Sequence, residues 1–136
     1  MFARIFATLL LALPAVTMAA TSNGPVLVTG ATGQTGRLLV PALIEQGHSV
    51  RALIRNPAAA GSLPTGVQSV IADVTTPATL AAAMRGVSTV ISTIGARFPI
   101  GSNGFAAVDW EGNRALIDAA KSAGVSHFIL LSAGSA

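Results

Sequence analysis

Cysteine is absent from this 136-residue chain. That excludes disulfides, thiolate metal sites and a cysteine nucleophile, and it is compatible with either redox compartment. Tyrosine is absent too, and with it any phenolic acid–base group. Charge is scarce: charged residues make up 10% of the chain against 51% hydrophobic, a balance that favours a buried core over disorder. The net charge of +3 rests on eight Lys+Arg against five Asp+Glu. The cations stand singly, at Arg4, Arg37, Arg51, Arg55, Arg85, Arg97, Arg114 and Lys121. No run or stripe forms, so there is no nucleic-acid footprint. No metal-ligand cluster, internal repeat or low-complexity tract is evident. The length suits one domain of ordinary size.

The first twenty residues, MFARIFATLLLALPAVTMAA, differ in kind from the rest. One early cation, Arg4, precedes an apolar run from Ile5 to Leu13, then Pro14 and small residues. This is the layout of a secretory signal, with Thr17-Met18-Ala19 placing the cut after Ala19 or Ala20. The apolar run is too short for a stable membrane span. No twin-arginine pair is present, which points to the general export route. A working signal makes the protein exported, to a periplasm or beyond; a misassigned start leaves it cytoplasmic, and an uncleaved interfacial anchor is the third reading.

After a polar linker, Thr21–Pro25, strand and helix patterns alternate. The expected strands are Val26–Thr29, Ser49–Ile54, Val67–Ala72, Ser88–Thr93 and Ser126–Leu131. Helical patterns run from Gln34 to about Gln46, from Thr75 to about Arg85, and from Phe105 to Ala123. In the first of these, Leu39, Val40, Leu43 and Ile44 recur at helical spacing, and Pro41 predicts a kink or a lost backbone bond. Asn56–Gly66 and the Gly-rich stretch Ile94–Gly104 read as loops. Strands alternating with helices imply parallel pairing and right-handed crossovers. Apolar strands with little alternation imply a sheet covered on both faces. His48 and His127 each precede a strand and read as structural; Asn113 reads as exposed or as a helix-packing residue.

Residues 26–40, VLVTGATGQTGRLLV, join a strand, a glycine-rich turn and a helix. That is the context in which G-x-x-G-x-x-G points to a dinucleotide. Gly30 permits the tight turn, Gly33 lets the backbone approach a pyrophosphate, and Gly36 lets the helix pack closely on the strand. The helix start offers unpaired N–H groups and a positive dipole end to phosphates. Thr32, Gln34 and Thr35 complete this candidate cradle.

The stretch VLVTGATGQTGRLLVPALIEQGHSVRALIRNP resembles the start of an atypical short-chain dehydrogenase/reductase, of the NmrA-like, NAD(P)H-binding group. VDWEGNRALIDAAKSAGVSHFILLS resembles that group's helix and fifth strand. The resemblance implies a Rossmann-like fold over residues 25–136: an α/β, doubly wound parallel sheet of five strands, order 3-2-1-4-5, in a single domain. It places Arg55 at the adenosine 2′-phosphate, Asp73 and Val74 beside the adenine ring, and Thr93 and Gly95 along the nicotinamide ribose. It places Ser132 where the family keeps an active-site hydroxyl, although the family's usual second serine is Ala133 here. NAD sites of this kind carry an acid at the end of strand 2. SVRALIRNP has none, so NADP(H) is expected over NAD(H).

Catalytic members of the superfamily use a Tyr and a Lys four residues apart, on the helix after strand 5. With no tyrosine, that dyad cannot exist in this chain, which ends before that helix and reads as an apparently truncated N-terminal half. The expected function is the NADP(H)-binding domain of an oxidoreductase acting on an unidentified small molecule. The alternatives are a non-catalytic NADP-sensing module and an inactive fragment. The apolar outer face of strand 5 further suggests a homodimer through that edge. Export would be at odds with the scarcity of reduced nicotinamide cofactors outside the cytoplasm.

Overall fold

In the computed structural model, residues 24–97 and 99–132 are described. The expected signal segment over residues 1–20 lies outside them, as do Thr21 to Asn23 of the linker and Ala133.

Five strands form one parallel sheet: β1 (Val26–Thr29), β2 (Val50–Ile54), β3 (Gln68–Ile71), β4 (Thr89–Ser92) and β5 (His127–Leu130). Their order is β3-β2-β1-β4-β5, as the alternating pattern and the resemblance imply. β1 sits in the middle; its Val28 pairs with Ala52 of β2 on one side and Ile91 of β4 on the other. All four β1 residues are buried. Successive side chains on a strand face opposite ways, and the core divides accordingly. Leu27, Leu53 and Val90 pack on one face with Leu80, Met84 and Leu116. Val28, Ala52 and Ile54 pack on the other with Val40. Helices cover both faces, which is why the central strands are apolar at most positions, Arg51 and the strand-end hydroxyl residues Thr29, Thr89 and Ser92 apart.

The edge strands depart from that expectation. Gln68, Ser69 and Ile71 of β3 are exposed, as are His127, Ile129 and Leu130 of β5. Only the three inner strands are covered on both sides.

Helix α1 (Gln34–Glu45) runs through Pro41 without ending. Proline there forgoes one backbone bond, and Val40 on the buried face anchors the helix to the sheet. Two helices are shorter or less regular than their sequence pattern. The expected helix over Thr75–Arg85 is a 3₁₀ turn, Pro77–Thr79, followed by a single α-turn, α2 (Leu80–Ala83). The Thr79 hydroxyl accepts from the Asp73 N–H at 3.0 Å and donates to the Thr76 carbonyl at 2.7 Å. These bonds hold the start of the segment to the end of β3. The expected helix over Phe105–Ala123 is a π-helical turn, Ala106–Gly112, passing into α3 (Asn113–Ser122). Wide π-turns of this kind recur at functional sites.

Arg51 staples one end of the sheet. Its guanidinium donates to Gln68 Oε1 on β3 at 2.7 Å and to the carbonyls of Ala83, the last residue of α2, at 2.9 Å and of Arg85, just past it, at 2.7 Å. A cation there also meets the negative end of the α2 turn. Arg51→Met keeps the aliphatic stem and removes the donors. It should lower the unfolding free energy by about 1–2 kcal/mol, the net worth of charged hydrogen bonds that are partly exposed. Urea titration measures it; an unchanged midpoint would show that the staple is idle.

Candidate functional site

At β1 the direction of chain winding reverses: β2 and β3 lie to one side, β4 and β5 to the other. Open α/β sheets bind ligands at this switch point, outside the carboxyl ends of the strands. A cleft of about 860 Å³ opens there, between the turn after β1, the tip of β2 and the loop after β4. It is lined by Gly30, Thr32, Gly33, Gln34, Thr35, Arg55, Val74, Thr93 and Gly95. Each of these was singled out from the sequence.

The turn after β1 is shaped by steric necessity. Gly30 has φ +77°, and a Cβ there would lie 2.7 Å from Thr93 Oγ1 and 2.9 Å from the Thr93 carbonyl oxygen. A Cβ at Gly36 would collide with the Gly30 carbonyl oxygen and the Ala31 backbone. Only glycine lets α1 start this close beneath the strand. Gly33 is different. Its backbone is extended, at φ −76°, and a Cβ would approach only the Gly30 oxygen, at 3.2 Å. The protein itself barely needs glycine there, whereas a ligand lying against that backbone would. Gly33 caps α1, no side chain caps the helix, and its first turn holds no acid. The first N–H groups therefore remain for an anion. Arg37 Nε donates to the Thr32 carbonyl at 2.9 Å and steadies the turn.

Across the cleft, the Thr93 N–H and hydroxyl both donate to the Thr29 carbonyl, at 3.0 and 2.8 Å. Thr93 thus closes β4 against β1 while lining the cleft. Behind it runs a buried polar chain. Thr29 Oγ1 donates to Ser92 Oγ at 3.2 Å, and Ser92 Oγ to Asn113 Oδ1 at 2.7 Å; Asn113 Nδ2 donates to the Asp109 carbonyl at 3.0 Å. Asn113 is buried, which settles its reading as a helix-packing residue. Asp109 Oδ1 then accepts the Ala96 N–H at 2.9 Å. The loop after β4 is so tied to the π-turn.

Three candidates lie elsewhere. Gly36 is under the turn and does not line the cleft. Asp73 is engaged in its own turn, its Oδ1 accepting the Thr75 N–H at 2.9 Å and the Thr75 hydroxyl at 2.8 Å; Val74 beside it reaches the cleft. Ser132 is exposed just past β5, away from the lining residues. His48 and His127 are exposed and also outside the cleft.

The structure adds residues that sequence reasoning passed over. Arg97 and Asn103, from the Gly-rich loop, line the cleft, and Asn103 Oδ1 accepts a hydrogen bond from Arg55 Nη1 at 3.0 Å. Among the described residues, the lining therefore holds two guanidinium groups and no carboxylate. A cradle that a side chain would fill, a helix start without a side-chain cap and a cationic rim together fit a dinucleotide.

A family model described as NAD(P)H-binding matches residues 30–136. The chain belongs to this NAD(P)H-binding family. It is 36% identical over 107 residues to the photosystem II assembly factor Ycf39 of Trieres chinensis, an alignment covering 78% of this chain and 33% of that protein. A short-chain dehydrogenase/reductase superfamily protein from Agrobacterium tumefaciens, solved with bound NAD, superposes with a TM-score of 0.65 at 37% identity, over 80% of this chain and 32% of that one. An NADPH-dependent quinone oxidoreductase from Escherichia coli, solved with NADPH, superposes with a TM-score of 0.65 at 30% identity, over 77% and 35%. The chain thus spans about a third of the length of these relatives. The resemblance to atypical short-chain dehydrogenase/reductases stands, and the domain is of the NAD(P)H-binding kind found in that oxidoreductase superfamily.

The different surroundings of Gly33 and Gly36 separate binding from folding. Gly33→Val should leave the circular dichroism native-like and abolish cofactor binding in a fluorescence titration. Gly36→Ala should instead lower the thermal midpoint, because its Cβ meets backbone that cannot yield. Undiminished cofactor affinity in Gly33→Val would remove the turn from the binding site.

Proposed function

We propose that the domain binds NADP(H) in preference to NAD(H), as the cofactor-holding part of an oxidoreductase. The observation that carries this is the tip of β2: Arg55 lines the cleft there, and among the described residues the lining contains no carboxylate. An NAD site needs an acid at that tip to hold the ribose 2′-hydroxyl, and the same acid would repel a 2′-phosphate. A guanidinium does the opposite, since its planar fork pairs with phosphate oxygens. The relatives with bound cofactors include one with NAD and one with NADPH, so the preference rests on Arg55 and not on kinship.

In this reading the turn Gly30–Gly36 and the α1 N–H groups hold the pyrophosphate, Val74 flanks the adenine, and Thr93 and Gly95 border the nicotinamide ribose. Asp73 supports the adenine pocket through its turn, and Ser132 is kept as a weak active-site candidate. When bound, the cofactor supplies the hydride chemistry; the protein's share is binding and orientation. A charged hydrogen bond is worth roughly 1.5–3 kcal/mol, about 10- to 150-fold in affinity. Arg55→Ala should weaken NADPH by a factor in that range and leave NADH nearly unchanged, in four calorimetric isotherms. Equal losses for both cofactors would assign Arg55 to the fold instead. Cofactor oxidation with quinones and flavins as acceptors distinguishes a catalytic domain from a sensing one.

We also propose self-association through β5. Ile129 and Leu130 of the edge strand β5, and Leu131 just past it, are 52%, 46% and 52% exposed, and an edge strand presents its outer backbone groups for pairing. Among the described residues, no helix is long and apolar enough to cross a membrane. Residues 21–136 should sediment as a dimer or larger species, and Ile129→Lys with Leu131→Lys should return them to monomer. A monomeric parent domain would contradict the pairing.

A further inference from the structure

We propose that Asn103 is a second determinant of cofactor choice, holding Arg55 over the cleft and adding amide donors for a 2′-phosphate. The inference rests on the assignment of Arg55 to that phosphate.

Asn103 stands 48 residues from Arg55 in sequence, yet its Oδ1 accepts from Arg55 Nη1 at 3.0 Å, and both residues line the cleft. Its placement is enforced by its neighbours. Gly101 and Gly104 close a turn through a Gly104 N–H to Gly101 carbonyl bond of 2.9 Å, with Asn103 at the third position. Gly101 has φ +97°, which side chains rarely adopt. Gly104 is buried, and a Cβ there would lie 2.7 Å from the Ile100 carbonyl carbon. The Gly104 carbonyl then accepts from the Val108 N–H at 2.9 Å, joining the turn to the π-helical segment. Asn103 is thus carried on a turn with little freedom, anchored to a helix.

The chemistry follows from what an amide offers. Guanidinium only donates, so the amide must present its oxygen to Arg55 and keep its NH₂ for another acceptor. Arg55 has five N–H donors and spends one on Asn103. The pair therefore offers a phosphate a charged fork and a neutral donor side by side. An acid at position 103 would also orient Arg55, but it would neutralise the cation and repel the phosphate. Asparagine orients without neutralising.

The test uses the full domain and four probes: NADPH, NADH, adenosine 2′,5′-bisphosphate and 5′-AMP. The last two read the adenosine end alone. Asn103→Asp should weaken NADPH and the bisphosphate by about tenfold or more, and shift NADH and AMP by less than about twofold. Asn103→Ala should weaken NADPH by roughly 2- to 10-fold, the span of a neutral hydrogen bond. In an Arg55→Ala background, Asn103→Asp should cost NADPH less than it does in the wild type, because the part of its effect that runs through Arg55 is already gone while the lost amide donor and the added charge still act on the phosphate. An unchanged NADPH-to-NADH ratio in Asn103→Asp, equal weakening of all four probes, or additive losses in the double variant would each overturn the proposal. Failure of the underlying reading looks different: Arg55→Ala alone would then leave the NADPH-to-NADH ratio of the wild type unchanged. Asn103 is exposed, so these variants should fold; if Asn103→Asp does not, Asn103→Ala decides on the same ratio.

Discussion

The close approach of α1 to the end of β1 is the contact on which the site depends. With no side chain at Gly36, the helix backbone settles against the Gly30 carbonyl and Ala31. That seats the start of α1 directly beneath the turn, and its unpaired N–H groups open into the cleft. Any Cβ would push the helix away, and the helix carries Val40, the most deeply buried side chain of its face. The same contact therefore serves packing and binding. A helix displaced outward would lose burial and would also take its dipole away from the cleft where the proposed phosphate site lies.

β1 and β4 supply the second constraint. At the switch point two adjacent parallel strands carry their helices to opposite faces, so their ends must be joined by something other than a connecting loop. The join is polar: Thr93 bonds to Thr29, and Thr29, Ser92 and Asn113 bond in series beneath it. No buried side-chain polar atom among the described residues lacks a partner. A neutral chain of this kind avoids the desolvation of a buried ion pair, and it carries position from the sheet to the π-turn and back to Ala96. The loop that lines the cleft thus takes its place from the core.

Much of this was legible in the amino-acid sequence because it is local. The apolar runs located all five strands to within a residue at each end, and the glycine spacing located the turn. The parts that were not legible depend on contacts between distant residues. Nothing near Thr79 announces that its hydroxyl will reach back to Asp73 and replace part of a helix with a 3₁₀ turn. The apolar spacing of residues 105–123 reads as one α-helix, since a single π-turn disturbs the periodicity too little to register. Asn103 sits in a loop whose glycines look flexible, and only the fold brings it to Arg55. Arg51 lies on β2 and Arg55 just past its end, about 13 Å apart by strand rise. Their neighbourhoods divide them into a staple and a cleft residue, and choosing Arg55 from the sequence rested on its place at the strand tip.

The scarcity of acid in this chain bears on the site as well. Of five carboxylates, Asp73 is bonded into its own turn and Asp109 into the loop after β4. Neither lines the cleft, and no other acid among the described residues does. The guanidinium groups of Arg55 and Arg97 consequently set the sign of the local potential without a countercharge in the lining. Phosphates are drawn to such a rim at ordinary ionic strength, where charges within about 10 Å still act on one another. Among the described residues, the side chain that bonds to Arg55 is a neutral amide, that of Asn103. A carboxylate would have made a stronger bond and a poorer phosphate site. Under the proposed preference for NADP(H), the weaker partner leaves the cation available for the 2′-phosphate that distinguishes the two dinucleotides.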